Sequence, residues 1–209
     1  MKSPVRVLGV ILAFAASMAT FADDAPALPK ALAGKAVVVA PTDPAYPKAD
    51  IGEAVKNPGL GGISQGIVVK LTKDVPIYRM YNGPTKVDSQ GHTNRVGQWW
   101  SYDAPNGSQQ SYRSAYEICQ GWNDLTWVAT CTLKKGAVVA IGPGQSVWAE
   151  TCGDATGTES YAADPGAWQV WISKAWTRNG KGKDLDCPAD TKDYAVEPTD
   201  LSKHKAAKP

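Results

Sequence analysis

The chain has 209 residues, with 22 Lys and Arg side chains against 20 Asp and Glu, for a formal net charge of +2. Two of the basic residues lie within the first 22 positions, so the rest of the chain carries 20 of each sign. A balance near zero provides no electrostatic attraction to nucleic acids or anionic membranes. We therefore expect neither as a partner.

The first 22 residues have the three parts of a secretory signal peptide. Lys2 and Arg6 form a basic region, an apolar run follows at residues 7–14, and Thr20 to Ala22 end in a small-x-small pattern. The apolar run is too short to span a bilayer. We predict that residues 1–22 are removed and that the protein is secreted or periplasmic, with no membrane span after cleavage.

Composition divides the remaining chain into three parts. Residues 23–62 contain six prolines and several glycines, which indicates a Pro/Ala/Gly-rich linker or arm with one edge strand at residues 36–40. Residues 63–196 are predicted to form a single folded domain. Residues 197–209 are rich in Lys, Ala and Pro, and we expect a disordered tail there.

Hydrophobic patterning within the domain predicts many strands and few helices. In chain order, strands are expected at 67–71, 75–81 and 97–102, a helix at 108–121, and further strands at 125–133, 137–141, 146–151 and 168–176. The predicted fold class is α+β, with a mostly antiparallel β-sheet core and one or two helices.

Four cysteines, Cys119, Cys131, Cys152 and Cys187, all lie in this domain. None forms a Cys-x-x-Cys pair and no histidine stands at ligand spacing beside them, so we expect no metal. An oxidising destination favours two disulfides. Three pairings are possible, and adjacency along the chain favours Cys119–Cys131 and Cys152–Cys187.

Several kinds of catalysis have little support. His92 is the only histidine outside the tail, so serine or cysteine hydrolysis lacks a base. The acids within structured segments are Glu117, Glu150 and Glu159, and no spacing shows that two of them converge as glycoside hydrolysis requires. We interpret all three as solvated side chains.

Tryptophans are abundant, and the two phenylalanines of the chain both lie within the signal peptide. We expect most of the set Trp99, Trp122, Trp127 and Trp148 to fill the core in place of phenylalanine. An exposed cluster would instead indicate a surface for stacking on sugar rings. The alternative function is therefore a non-enzymatic exported domain that binds carbohydrate or protein through tryptophans.

One ordered set of residues points to specific chemistry. Arg79 follows Tyr78 at the end of one strand, Trp99-Trp100-Ser101 forms the next, and Gln169 lies in the last strand of the domain. This order resembles the ADP-ribosyltransferase fold of secreted bacterial toxins of the arginine–serine–glutamate class. The resemblance covers roughly residues 66–176 and implies an ADP-ribosyltransferase or an NAD glycohydrolase.

The resemblance also implies a role for each motif. Arg79 would bind the diphosphate of NAD or its adjoining ribose, since a guanidinium donates paired hydrogen bonds to oxyanions. Ser101 would contact the catalytic carboxylate and help hold the nicotinamide ribose. Gln169 stands where the family has its catalytic glutamate. NAD is then the substrate, no metal is needed, and the protein target is unknown.

The amide of Gln169 carries no negative charge, and losing such electrostatic stabilisation costs about 3 to 4 kcal/mol. The sequence leaves three possibilities open. Gln169 positions the substrate of an NAD glycohydrolase, a nearby acid such as Glu159 or Asp164 takes over the charge, or the domain binds without catalysis. We therefore predict a secreted NAD-binding protein that cleaves NAD or transfers ADP-ribose.

Overall fold

The computed structural model describes residues 27–189 and 192–205, and the predicted signal peptide lies outside them. Within these ranges, most of the secondary structure belongs to one ten-stranded sheet. The strands are β1 (Ala36–Val38), β2 (Ile67–Leu71), β3 (Val75–Tyr81), β4 (Trp99–Ser101), β5 (Trp127–Leu133), β6 (Val138–Pro143), β7 (Trp168–Trp171), β8 (Leu185–Asp186), β9 (Tyr194–Glu197) and β10 (Asp200–His204).

Helices are short. The described residues contain four α-helices rather than the one or two expected: α1 (Ile51–Ala54), α2 (Gln109–Ala115), α3 (Ala149–Cys152) and α4 (Ala175–Arg178). Two 3-10 helices, Lys30–Leu32 and Tyr46–Ala49, precede them. Except for α2, each α-helix is a single turn of four residues, a length too short to show helical periodicity in a sequence.

The sheet has the order β1-β2-β6-β7-β4-β3-β5-β9-β10, and β8 also pairs with β5. Every pairing between these strands is antiparallel. This confirms the mostly antiparallel core. The order brings β7, β4 and β3 side by side, and these three strands carry the sequence motifs.

Alternation along the strands divides the core between the two faces of the sheet. On one face, Ile77, Leu133, Val139, Val170 and their neighbours form the main core cluster. The other face carries two smaller clusters. One lies near α1 and contains Val68, Ala140 and Trp171, and the other lies near α2 and contains Met80, Tyr112 and Val128, among others. The second of these small clusters adjoins the site described below.

The predicted linker at 23–62 is wrong for the described residues 27–62. Leu32, Ala49 and Ala54 are fully buried, and β1 pairs with β2 at the edge of the sheet, which confirms the expected edge strand. The prolines and glycines serve tight turns and 3-10 turns on the surface of the domain instead of a free connection. The segment is part of the fold.

The disordered tail is also wrong for residues 197–205. Residues 200–204 form β10, which pairs with β9, and Leu201 is fully buried beside Val196. One apolar residue at a buried position anchors this hairpin, a signal too small to stand out in a Lys-rich sequence. Residues 206–209 lie outside the described ranges.

Three predicted elements differ from the structure in their bounds or in their type, and local backbone geometry explains the difference. The helix α2 begins after Ser108, whose hydroxyl accepts a hydrogen bond from the amide of Ser111, and ends at residue 115 because Glu117 has a left-handed φ of +48°. Half of the expected strand at 146–151 belongs instead to the helix α3. The expected strand at 168–176 divides into β7 and α4, with Lys174 at φ +50° between them.

Both expected disulfide pairings are wrong, although the cysteines in the described chain are all paired. The bonds are Cys119–Cys152 and Cys131–Cys187. The register of β8 on β5 explains the second bond, since Thr132 faces Asp186 and the next position aligns Cys131 with Cys187. Cys131 lies in the main core, whereas Cys119 lies in a separate small cluster. Adjacency along the chain was therefore misleading.

Candidate active site

The site is a fork in the sheet between β3 and β4. The two strands pair at Tyr78 and Ser101. Beyond this point β3 continues on β5, while Trp99 of β4 pairs with Trp171 of β7. A cavity of about 160 Å³ opens where the strands separate. It is lined by β3, β4, β7, α2 and the segment 116–123 that follows α2.

Arg79 reaches the cavity from β3. Its Nε donates a hydrogen bond to the carbonyl oxygen of Asn94 (2.9 Å), and its Nη1 donates one to the carbonyl oxygen of Trp99 (2.7 Å). Within the part of the chain that the structure describes, Nη2 has no hydrogen-bond partner and the guanidinium has no carboxylate partner. Burial lowers the pKa of Arg79 to about 10, so the side chain remains charged at neutral pH.

Arg79 is half-buried, and a cation partly withdrawn from water without a counter-charge is costly unless a ligand compensates it. The two carbonyl oxygens hold the guanidinium plane in place, and among the described residues Nη2 is left without a hydrogen-bond partner. Arg79 is therefore a candidate for binding an anion.

Ser101 makes a different contact from the one the resemblance implies. It is buried, and it stands in register with Gln169 on β7 and with Tyr78 on β3. Its hydroxyl donates to the carbonyl oxygen of Asp103 (2.9 Å) and lies 3.5 Å from the hydroxyl of Tyr112. Tyr112 lines the cavity and Ser101 does not. Ser101 thus contacts a residue that lines the cavity, Tyr112, but does not line the cavity itself.

Gln169 lines the cavity from β7, with 6% of its surface exposed. Its Nε2 donates to Oε2 of Glu117 (3.0 Å) and lies 3.4 Å from the carbonyl oxygens of Gly62 and Tyr116. Three acceptors around one nitrogen fix the orientation of the amide. Among the described residues, no hydrogen-bond donor is paired with Oε1, which leaves an acceptor for a ligand.

Glu117 is the carboxylate that sequence reasoning missed. It is 1% exposed and lines the cavity, whereas a solvated position was expected. Its Oε1 accepts a hydrogen bond from the amide of Asp164 (2.9 Å). Burial raises the pKa of Glu117 to about 8. Glu117 also has a left-handed φ of +48°. This conformation is rare for a residue other than Gly, Asn or Asp, and such strain concentrates at functional sites.

Two glycines provide room for the side chains of Arg79 and Glu117. A Cβ added at Gly97 would overlap the guanidinium of Arg79, and one added at Gly144 would overlap the carboxylate of Glu117. Neither glycine has a positive φ, so space rather than backbone conformation accounts for the missing side chain. The surrounding backbone is therefore shaped around both groups.

The acids expected to substitute for the missing glutamate do not line the cavity. Glu159 binds the amide of Gln120 and the hydroxyl of Tyr161. The carboxylate of Asp164 accepts from the amide of Gly166, and only its backbone amide reaches Glu117. Glu150 is exposed, as expected. Of the acids considered from the sequence, Glu117 alone reaches Gln169.

More of the tryptophan side chains are exposed to solvent than the sequence predicts. Trp100 and Trp171 are buried, but Trp122, Trp148 and Trp176 are 46%, 54% and 59% exposed. The core-filling interpretation is therefore wrong for Trp122 and Trp148. Both pack on the loop around residues 59–61, where an added Cβ would meet their rings. Trp122 also lines the cavity, so an exposed aromatic ring stands at its edge.

Comparison of the chain with protein-family models, curated proteins and solved structures finds no match. Across residues 27–189 and 192–205, no helix has the length and apolar character needed to cross a bilayer. The same residues contain no group of three or more His, Cys, Asp or Glu side chains arranged to hold a metal ion.

Proposed function

We propose that this protein is an exported enzyme that binds NAD and breaks the bond between nicotinamide and ribose, passing ADP-ribose to water or to a protein target. The observation that carries the proposal is Arg79. It is a charged guanidinium without a carboxylate partner among the described residues, and it lines the same cavity as Gln169. The residues picked out by the resemblance to ADP-ribosyltransferases lie on three neighbouring strands.

The diphosphate of NAD suits Arg79. Two of its three guanidinium nitrogens are held by backbone carbonyls, so Nη2 can donate to a phosphate oxygen without further ordering of the side chain. An anion there also provides the missing counter-charge. A neutral sugar would not provide a counter-charge. This difference favours a phosphorylated ligand over a simple carbohydrate.

The size of the cavity suits half of the dinucleotide. At about 160 Å³ it is smaller than the roughly 300 to 1,000 Å³ of pockets that enclose whole ligands. The nicotinamide and its ribose would enter between the aromatic rings of Trp99 and Tyr112, which line the cavity. The adenosine half would lie outside, where the exposed ring of Trp122 offers a stacking surface.

Cleavage of NAD leaves positive charge on the ribose, and the site has polar groups on that side. The free Oε1 of Gln169 can accept a hydrogen bond from a ribose hydroxyl, as the family's glutamate does. The two disulfides are in keeping with function outside the cytoplasm. The chemistry needs no metal.

The test is release of nicotinamide by the purified protein. We expect nicotinamide and either ADP-ribose or ADP-ribosylated protein in the parent reaction, and loss of at least 100-fold in Arg79→Ala. Arg178→Ala is the matched control, because Arg178 is a partly buried arginine that pairs with Asp184 away from the cavity. No release of nicotinamide, together with no thermal stabilisation by NAD, would exclude the proposal.

A second candidate is a binding module that uses Trp122 and Trp148. The supporting observation is their exposure on the neighbouring glycine loop. This candidate requires binding of a neutral oligosaccharide that is lost in Trp148→Ala but unaffected by Arg79→Ala. The NAD proposal predicts the opposite result. Binding of NAD should be lost in Arg79→Ala but unaffected in Trp148→Ala, since Trp148 does not line the cavity.

A further inference from the structure

Glu117 and Gln169 form a buried pair at the inner end of the proposed NAD site. The carboxylate accepts from Nε2 of the amide (3.0 Å) and also from the amide of Asp164 (2.9 Å). Gly144 leaves the space that the carboxylate occupies. These contacts hold the carboxyl group on the far side of the amide from its free Oε1.

We propose that the two side chains replace the single glutamate of ADP-ribosyltransferases, with Gln169 contacting the ribose and Glu117 acting through it. Glu117 is the positioning residue: it holds Nε2 and so directs Oε1 toward a ribose hydroxyl of NAD. Its negative charge polarises the amide and raises the electron density on that oxygen. This inference rests on the proposed function, which identifies NAD as the ligand.

The reaction balances without a further reactant. The bond between ribose C1′ and the nicotinamide nitrogen breaks, and its electron pair remains on nicotinamide. Positive charge develops on the ribose while its hydroxyl donates to Oε1 of Gln169, which is most effective when Glu117 is ionised. Water then bonds to C1′ and releases its proton to solvent. The products are nicotinamide, ADP-ribose and one proton, and nothing is oxidised or reduced.

Ionisation of Glu117 should control the pair. Burial raises its pKa to about 8, and the nearby negative charge of Asp164 acts in the same direction. Tyr112, Tyr116 and Arg79 also line this cavity, and Arg113 of α2 is bound to backbone carbonyls at 118, 119 and 123. When protonated, Glu117 can donate to Oε1 after the amide rotates, which would remove the free acceptor.

The pairing can be measured without NAD. In the free protein, the side-chain NH₂ resonances of Gln169, assigned by their absence in Gln169→Leu, should shift with pH through about 8. The shift should disappear in Glu117→Gln, which has the same shape but no charge. Resonances that do not respond to pH in the parent, or that respond equally in Glu117→Gln, would overturn the inference.

Turnover then tests the role of the pair. In Glu117→Gln we expect kcat to fall at least tenfold with KM for NAD changed less than threefold, and the rise of kcat between pH 6 and 9 to disappear. Gly144→Ala, which displaces the carboxylate but keeps its charge, should show a similar loss. Gly52→Ala is the control, since an added Cβ there meets nothing within 4 Å and φ is not positive.

The outcomes separate the two proposals. If the parent releases nicotinamide in an Arg79-dependent way but kcat of Glu117→Gln stays within twofold, only the role of Glu117 fails. If nicotinamide is not released at all, the proposed function fails and the role toward ribose fails with it. Should Glu117→Gln not fold, a kcat of the parent that is flat between pH 6 and 9 would overturn the inference.

Discussion

The side-chain amide of Gln169 donates a hydrogen bond to the carboxylate of Glu117 over 3.0 Å, inside the cavity that also contains Arg79. The two residues lie 52 positions apart in the chain and on different elements, β7 and the segment after α2. The position that lacks a carboxylate in sequence is therefore next to one in space.

Exchanging the two side chains should preserve the pair. In Gln169→Glu alone, two carboxylates would lie about 3 Å apart and share one proton, so we expect lower stability and no gain in NAD cleavage. The double variant Glu117→Gln, Gln169→Glu again has one acid and one amide, with the acid now facing the ribose. Its nicotinamide release should exceed that of Glu117→Gln by at least tenfold. Equal rates in the two variants would show that the charge has no role.

Stability should respond to pH through Glu117. Its pKa in the folded protein is about 8, above the ordinary 4.5, so the folded state holds a proton that the unfolded chain releases. The contribution of this group to stability is therefore full below pH 4.5 and is lost as pH rises to about 8. Relative to the parent, Glu117→Gln should gain roughly 3 to 5 kcal/mol of unfolding free energy between pH 5 and 9.

Urea denaturation at pH 5, 7 and 9 measures this change. Glu150→Gln is the control, because Glu150 is exposed and outside the cavity. A constant difference between the parent and Glu117→Gln across these pH values would mean that the carboxylate is not buried as described.

Gly97→Ala should weaken binding of NAD without removing a charged group. The new Cβ would overlap the guanidinium of Arg79, which must move away from the carbonyl oxygens of Asn94 and Trp99. We expect a loss of affinity of at least fivefold by calorimetry, about 1 kcal/mol. Gly52→Ala should bind as the parent does. Unchanged affinity in Gly97→Ala would indicate that NAD does not contact Arg79.

The two disulfides should differ in what they affect. Each should contribute about 2 to 4 kcal/mol to stability, but Cys119 is two residues from Glu117, whereas Cys131–Cys187 joins β5 to the end of β8. At a temperature where both variants are folded, Cys119→Ser, Cys152→Ser should lose at least tenfold in nicotinamide release. Cys131→Ser, Cys187→Ser should retain most of it. Equal losses in the two double variants would contradict a special role for the first bond.

The strands could be predicted from the sequence because the side-chain pattern of a strand is local. Residues 67–71 and 75–81 combine β-branched and aromatic side chains with alternation, and both strands have the expected bounds. One-turn helices and 3-10 turns produce no periodicity, so α1, α3 and α4 were missed. Burial of residues 27–62 depends on Leu32 and a few alanines, whose partners lie far away in the chain.

Only part of the site could be predicted from the sequence, because contacts between distant residues leave no local pattern. Arg79 and Gln169 stood out by their order along the chain, and both line the cavity. Glu117 carried no such signal, because its burial results from a left-handed residue after α2 and from a glycine at position 144. The disulfides were mispaired because strand register, which aligns Cys131 with Cys187, cannot be read from spacing.

The most direct test of the account is a crystal structure of Glu117→Gln with NAD, since this variant should bind the dinucleotide and cleave it slowly. We expect a diphosphate oxygen about 3 Å from Nη2 of Arg79 and a ribose hydroxyl at the same distance from Oε1 of Gln169. The nicotinamide should lie in the fork between β3 and β4. NAD bound elsewhere on the protein, or a fork that stays without ligand at saturating NAD, would contradict the account.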